Sequence, residues 1–498
     1  AVDEAQAQPF FVGKHVAMGG VSSSVPNHED LEEGRRAVIL VHGIGSCALE
    51  ATTAQGASGF LCDHVCHHDE GTRRIVYVSV SELVKRPHIV KSLALSLEED
   101  TTSSGIPTVR TSTGYTNVEV KEVQGLSGIR TLNPGPESEV TPVLLWHNMI
   151  EKLSPDYNPV AFNYDWRRWG ELSYVDEMQK AFCETIEAAV KLAKGKPVVM
   201  VCHSMGAQVA NYMLTVMGKA WTEANVSDLV FVGPANMGAP CALVAYANGP
   251  SHSAHSTFIP VADIAEARIR DVTSTWPGVL CILPCRLGEV DVFSRRPIAV
   301  RSDNRKYFAG ECTKFLADLA ACENKDPLGI YTEHASIHEK TRRLLEEYQF
   351  IDTKRVWEAG WDLAVRTRQG IEAQIVPNLL PPHCRVHVVY SDQLPSLVNM
   401  TFAENMHAKA GHAVWEPGDD TILANSVDKM CEAWKNSGCH LRRYHAGKIH
   451  HKDLITCKFT LDVMTEVMNV EDNGFDEGSE YDEPSDDLSE ACGCIAPN

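Results

Sequence analysis

The sequence predicts an α/β fold with a mainly parallel central sheet, and three features carry that prediction. Between residues 158 and 247, short apolar runs alternate with stretches of helical periodicity. These runs empty into loops containing Gly and Pro, as the buried strands of parallel sheets do. One of them, VVMVCHS, ends at Ser204 and passes at once into the helical pattern AQVANYML.

Residues 1–36 are loosely patterned and form an N-terminal arm ending in the charged stretch HEDLEEGRR. RAVILVHGIG, Arg36 to Gly45, reads as a buried strand running into a glycine loop, and it opens a first core part over 37–247. RRIVYVSVSELV reads as a strand or a strand entering a helix. Thr101 to Gly125 is rich in Thr, Ser, Val and Gly, which predicts short antiparallel strands or an excursion from the main sheet. NPVAFNYDWRRW holds a strand. Asp176 to Lys196 has apolar residues at helical spacing and stops at glycine. KPVVMVCHS is a strand, AQVANYMLTVMGKAW a helix, and DLVFVGPANMGAP a strand ending in a Gly/Pro loop. The rhythm fails over 248–380, which is expected to be a cap or lid inserted between sheet strands. It returns over 381–468 as a second core part, with RVHVVYSDQLPS, HAVWEPGDDTI, HLRRYHAGKIHHKDLI and a last helix near Thr460 to Met468. Residues 469–498 form an acidic tail, and no internal repeat is evident.

Composition narrows the function classes. The chain has 498 residues, 44% of them apolar, enough for a large core. Its net charge of -21 argues against nucleic acid as a partner, because phosphate backbones reward basic surfaces. Glu471 to Glu490 supplies 10 of those negative charges and carries no Lys or Arg, so the tail is expected to be solvated and disordered. Sixteen cysteines suggest disulfides and an oxidising compartment. Asn225-Val-Ser and Asn399-Met-Thr are sequons, each weak alone. No apolar span of 18 residues is present, so no transmembrane segment is expected. In a secreted protein the leader would already have been removed, with Ala1 a mature terminus.

Val198 to Gln208 is almost the nucleophile elbow G-x-S-x-G, with Cys202 at the first glycine position and Gly206 at the second. The turn needs smallness at those positions so that strand and helix can approach, and Cys is small. Ser204 is therefore a candidate nucleophile. His203 is a poor general base for it, since its side chain leaves the elbow in another direction. The acid and base are expected downstream, in Ser-Asp-His order. Asp419 or Asp420 in GDDT and His450 or His451 in HHKDL are the candidates, with a solvated turn and a metal pair as the competing readings. An oxyanion needs backbone N–H donors, and Met205, after the nucleophile, and Ile44, in the HGIGS loop, are placed to supply them. Cys62 to Glu70, CDHVCHHDE, fits a disulfide loop better than zinc. HGIGS lacks a phosphate-loop lysine and the acidic partner of a dinucleotide site, so no metal and no cofactor is expected.

These motifs together resemble the phosphatidylcholine–sterol acyltransferase-like lipases, a family that includes lysosomal phospholipase A2 and phospholipid:diacylglycerol acyltransferases. Ala37 to Ala51 looks like its early strand, glycine loop and Leu-Glu-Ala, with His-Gly where the best-known members have Pro-Gly. Tyr164-Asp165-Trp166-Arg167 matches its Tyr-Asp-Trp-Arg signature, and Cys202 to Gly206 its elbow. Gly238-Ala239-Pro240, Thr273 to Trp276, Gly418 to Thr421 and His451 to Leu454 match further motifs in the same order. The resemblance covers about residues 37–465 and implies an α/β-hydrolase fold with a cap and membrane-binding elements. It selects Asp419 and His451 as triad acid and base, and Ile44 and Met205 as the oxyanion hole. In relatives a cysteine matching Cys431 pairs with one in the preceding strand. Here that strand position is Val388 and the nearest cysteine is Cys384, so a re-routed disulfide is expected. Cys62 looks like the first cysteine of the family's lid-loop disulfide, with Cys66 as a new partner.

The function implied is serine-dependent acyl hydrolysis or transfer on glycerophospholipids, as a phospholipase A or lipid O-acyltransferase. Peripheral contact with a phospholipid membrane or lipoprotein surface, a possible lipid acyl acceptor, and a secreted or lumenal, vacuole- or lysosome-like location go with it. Two alternatives stand beside it: hydrolysis of soluble esters, and non-enzymatic lipid binding on a hydrolase scaffold. Cys202, at a buried strand end, is expected to be a free thiol.

Overall fold

The structure, a computed structural model, describes residues 31–53, 73–77, 93–100, 108–113, 118–132, 144–248, 272–287, 296–322, 353–406 and 411–469. Its centre is a six-stranded sheet of β1 (Ala37–Val41), β2 (Asn158–Phe162), β3 (Val198–His203), β4 (Val226–Val232), β5 (Arg385–Tyr390) and β6 (Leu441–His445), in the spatial order β6-β5-β4-β3-β1-β2. Every neighbouring pair is parallel. The strands β1 and β3 are buried along their whole length. That explains their unbroken apolar sequences: helices cover both faces, so neither face needs a polar alternation.

Helix α1 (Leu172–Leu192) buries Tyr174, Met178, Phe182, Ile186 and Ala189, a stripe at helical spacing. Phe182 meets Phe162 of β2 edge-on at 5.2 Å between ring centroids. The helix begins earlier than the apolar pattern predicts and ends just before the Lys194-Gly195 turn, where both residues have positive φ. Helix α2 (Met205–Met217) starts directly after β3 and lies largely buried. Gly218 then breaks the expected single helix, and Lys219–Asn225 forms a second one.

Chain order reverses around β1, which lies between β2 and β3. The loops leaving the carboxyl ends of β1 and β3 therefore diverge over one crevice, the usual ligand position in open α/β sheets.

The antiparallel excursion expected early in the chain is present. Leu49–Thr53 pairs with Arg73–Tyr77 and Val118–Glu122, and Leu95–Asp100 pairs with Thr108–Thr113. Residues from Tyr164 to Arg167 tie it to the core. The Arg167 guanidinium, fully buried, bonds Asp165 and donates to the carbonyls of Leu93 and Val120. Trp166 donates to Cys47 O, and Trp276 to Leu93 O.

RVHVVYSDQLPS does not continue as one sheet strand. The chain leaves the central sheet after Tyr390, and Leu394–Phe402 joins a second sheet with Ala413–Gly418, Ala299–Arg301 and Lys306–Tyr307. Pro395 faces Pro417 there, where neither needs to donate.

The disulfide expectation is corrected where it can be seen. All twelve described cysteines are free thiols, and eight of them are buried. They pack as small apolar residues. Cys431 sits on the buried face of helix α3 (Ala424–Asn436), unpaired with Cys384, so the re-routed bridge between them is not formed. Cys202 is a buried free thiol as expected. Cys62 and Cys66, and the acidic tail, lie outside the described residues. Asn399 is buried and its amide donates to Pro297 O, so this sequon offers no room for a glycan in the folded chain.

Candidate active site

Ser204 stands between β3 and α2 with φ 56° and ψ -124°, a backbone region that non-glycine residues rarely occupy. Its amide donates to Val232 O of β4, which holds the bend in place. The close approach that the elbow requires is visible at Gly206. A Cβ there would lie 2.4 Å from Val41 O and 2.5 Å from His42 O, so the second small position is obligatory. Cys202, fully buried, fills the first position without disturbing the strand.

Three side chains from distant parts of the sequence form one line. His451 Nε2 accepts from Ser204 Oγ at 2.8 Å, and His451 Nδ1–H donates to Asp419 Oδ2 at 2.7 Å. Asp419 is nearly inaccessible, and its Oδ1 accepts from the amides of Thr421 and Ile422 at 3.0 Å and 2.6 Å. One carboxylate oxygen is thus held by the turn, and the other is left for the imidazole. Burial opposes a charge on His451, but the Asp419 carboxylate and its hydrogen bond, with the charge of Asp420 beyond, outweigh it and raise the pKa. Asp420 pairs instead with His450. The two adjacent acids and two adjacent histidines make two separate pairs, and the Asp419–His451 pair is the one that reaches Ser204. Among the described residues no cluster of three or more His, Cys, Asp or Glu could hold a metal ion.

The glycine loop after β1 faces the elbow. A Cβ on Gly43 would come within 2.8 Å of Ser204 Cβ. The loop is pinned by His42, whose ring stacks on Tyr164 at 4.3 Å and whose carbonyl accepts from the Tyr164 hydroxyl at 2.6 Å. Burial drives the His42 pKa down to about 4, so the ring is neutral; its Nδ1 bonds Gly43 O while Nε2 accepts from Tyr164 N. Met205 opens α2, and the first-turn amides of a helix have no intrahelical acceptor. Ile44 is buried in the loop two residues beyond His42. Their amides are the candidate oxyanion donors.

Four supporting residues were not foreseen. His203 is no base, but its Nε2–H donates to the His451 carbonyl at 3.0 Å. Burial lowers its pKa to about 3, so it stays neutral and keeps one proton to donate. Gly233 has φ 54°, and a Cβ on it would lie 2.9 Å from His451 Nδ1. Ser391 donates to Gly447 O and accepts from Ile449 N, which ties down the loop before His451. Tyr164 belongs to a recognised motif, yet its role is to brace the loop of another strand. Sequence spacing carries no signal for these contacts, because each joins segments far apart in the chain.

The arrangement can deprotonate a serine hydroxyl, store the proton on an imidazolium beside a carboxylate, and offer amides to a developing oxyanion. In comparison with known proteins, the lecithin:cholesterol acyltransferase family model matches residues 106–463. The chain is 24% identical over 279 residues to the lysosomal phospholipase A and acyltransferase of Rattus norvegicus, covering 56% of this chain and 53% of that protein. To the Homo sapiens protein of the same name it is 23% identical over 300 residues, covering 59% of each. The chain thus spans little more than half the length of these curated relatives. Among solved structures, a chain of the Tle4–Tli4 complex matches with a TM-score of 0.45 at 11% identity, over 88% of this chain and 100% of that one.

Proposed function

The chain belongs to the lecithin:cholesterol acyltransferase family, and on that premise we propose that it cleaves or transfers acyl esters of glycerophospholipids through an acyl-serine at Ser204. The observation that supports this reading is the hydrogen-bonded line from Ser204 Oγ through His451 to Asp419. Ser204 Oγ attacks the ester carbonyl carbon and its proton passes to His451 Nε2. Asp419 holds the imidazolium, and the Ile44 and Met205 amides receive the oxyanion. Collapse breaks the ester bond, and His451 protonates the departing lysophospholipid oxygen. Water or a lipid alcohol then attacks the acyl-serine, giving its proton to His451, which returns it to Ser204. Hydrolysis and transfer share these steps and differ in what the acceptor pocket admits.

The protein is expected to work peripherally at a lipid surface. Among the described residues no helix is long and apolar enough to cross a membrane. The relatives are named lysosomal, which favours a lumenal location for this chain as well. The cysteines no longer argue for that location, since those described are free.

The test uses phosphatidylcholine vesicles labelled separately in each acyl chain, with and without a sterol or diacylglycerol, alongside soluble short-chain esters. Wild-type protein should release labelled acid or transfer it to the alcohol, and a fluorophosphonate should label Ser204. Ser204→Ala should lose at least about 10⁴-fold in rate. Full activity in that variant would overturn the mechanism, and turnover of soluble esters alone would overturn the substrate class.

A further inference from the structure

Asp420, in the turn that presents Asp419, has φ 77°. Glycine adopts that conformation with less strain, and an outlier beside a functional site points to a use for its side chain. The two oxygens of Asp420 are divided as those of Asp419 are. Oδ1 accepts from the Thr421 hydroxyl at 2.8 Å, and Oδ2 accepts from His450 Nδ1–H at 2.5 Å. The acid turn and the base loop are thus joined by the Asp419–His451 bond, by the His451 amide donating to Asp419 O at 2.8 Å, and by the Asp420–His450 bond. The last of these lies outside the path of the serine proton.

Each member of that outer pair is anchored on its far side. The Asp420 amide donates to Ser396 Oγ at 2.9 Å, which ties the turn to the strand Leu394–Phe402. A Cβ on Gly418 would collide with the same Ser396 side chain, so turn and strand are already in close contact. The His450 carbonyl accepts from the amides of Asp453 and Leu454 at 2.9 Å and 3.1 Å, which shapes the chain just after the base.

The outer pair is also the more open one. Side-chain exposure is 42% for His450 and 11% for Asp420, against 9% for His451 and 1% for Asp419. A pair so open to solvent contributes little to global stability. Its effect belongs to local geometry, because the His451 imidazole must stay within hydrogen-bond reach of Ser204 Oγ and small displacements there are costly in rate. We propose that Asp420 and His450 are positioning residues, a clasp that holds the acid turn against the base loop and keeps the Asp419–His451 bond aligned on Ser204. The inference rests on the reading of Ser204, His451 and Asp419 as a triad. The clasp acts through Asp419 and His451 rather than on the substrate.

The experiment measures the rate at which a fluorophosphonate labels Ser204, which needs an activated serine but no lipid. It also measures kcat and KM on phosphatidylcholine vesicles, and both are read at a pH where the wild-type rate no longer rises. Asp420→Gly removes the carboxylate and suits the positive φ. His450→Ala opens the clasp from the other side. Each should slow labelling and lower kcat about 10-fold, with KM within about 2-fold and the thermal midpoint within a few degrees of wild type. The double variant should lose no more than either single one, since both remove one contact. Asp420→Asn keeps an oxygen to accept from His450 Nδ1–H and should restore most of the rate. Labelled wild type with unchanged rates in both single variants would overturn the clasp alone. Losses that multiply in the double variant, or an Asp420→Asn variant as slow as Asp420→Gly, would do the same. Wild-type protein that takes no label would overturn the triad reading and the clasp with it.

Discussion

At the scale of single residues, the site depends on which carboxylate and which imidazole carry charge. In the proposed mechanism His451 must be neutral to accept the serine proton, and Asp419 raises its pKa against the effect of burial. Activity should therefore grow as pH rises through that raised value. Asp419→Asn should lower kcat by about 10⁴-fold and move the acid limb of kcat/KM to lower pH. Asp420→Asn, which removes only a more distant charge, should move the limb slightly in the same direction. His203 makes a separate case. His203→Phe keeps the ring volume and removes the donor to the His451 carbonyl. A loss of about 10–100-fold in kcat is expected, with a midpoint change in denaturant equivalent to about 1–3 kcal/mol.

At the scale of elements, glycines decide how closely strands, loops and helices approach. Gly233, at the end of β4, combines positive φ with a would-be Cβ 2.9 Å from His451 Nδ1 and 3.2 Å from Asp419 Oδ2. Gly218, between two helices, has φ 81° but nothing within 4 Å of that position. Alanine at either site should cost about 1–2 kcal/mol for the backbone conformation. Only Gly233→Ala should also displace the imidazole and reduce kcat by about 10²-fold. Steady-state kinetics and thermal unfolding on the two variants separate the effects. Equal activity in both would show that the His451–Asp419 bond does not depend on the space left by Gly233.

At the scale of the whole molecule, buried charge and buried neutral imidazoles set stability. His42 and His203 have folded pKa values of about 4 and about 3 against an ordinary 6.5. Between those values the unfolded chain binds more protons than the folded one, so stability falls as pH drops from about 6.5 toward 4. Each imidazole contributes up to about 1.4 kcal/mol per pH unit in that window. His451 acts in the opposite sense: its stabilising contribution is complete below the ordinary value and is lost as pH rises through its raised one. Denaturant midpoints measured from neutral pH to pH 4 should fall, and His42→Asn should flatten the fall. Arg167 and Asp165 join the early antiparallel strands to the core in a dry site. Arg167→Met leaves the Asp165 carboxylate buried without its partner, and a loss of about 3–5 kcal/mol is expected by chemical unfolding.

Much of the fold is legible in the sequence alone. Unbroken apolar runs such as AVILV and VVMVCH dictate buried parallel strands, since a strand covered on both faces has no polar side to show. Ser204 was marked by the strand–serine–helix pattern, because an elbow is a local object. Among the described residues the cysteines are free thiols where the count suggested disulfides, because counting cannot distinguish a thiol used as a small core residue from one beside a partner. From residue types and spacing alone, Asp419 and Asp420, or His450 and His451, are interchangeable neighbours; the resemblance chose between them, and only the fold brings one pair to Ser204 while turning the other aside. The same holds for His203, Gly233, Ser391 and the brace from Tyr164 to the His42 loop. Strand and elbow identity follow from short-range sterics and the period of apolar residues, which a sequence carries in full. Contacts between residues 204, 419 and 451 depend on sheet order and loop geometry, which are fixed only when the whole chain packs.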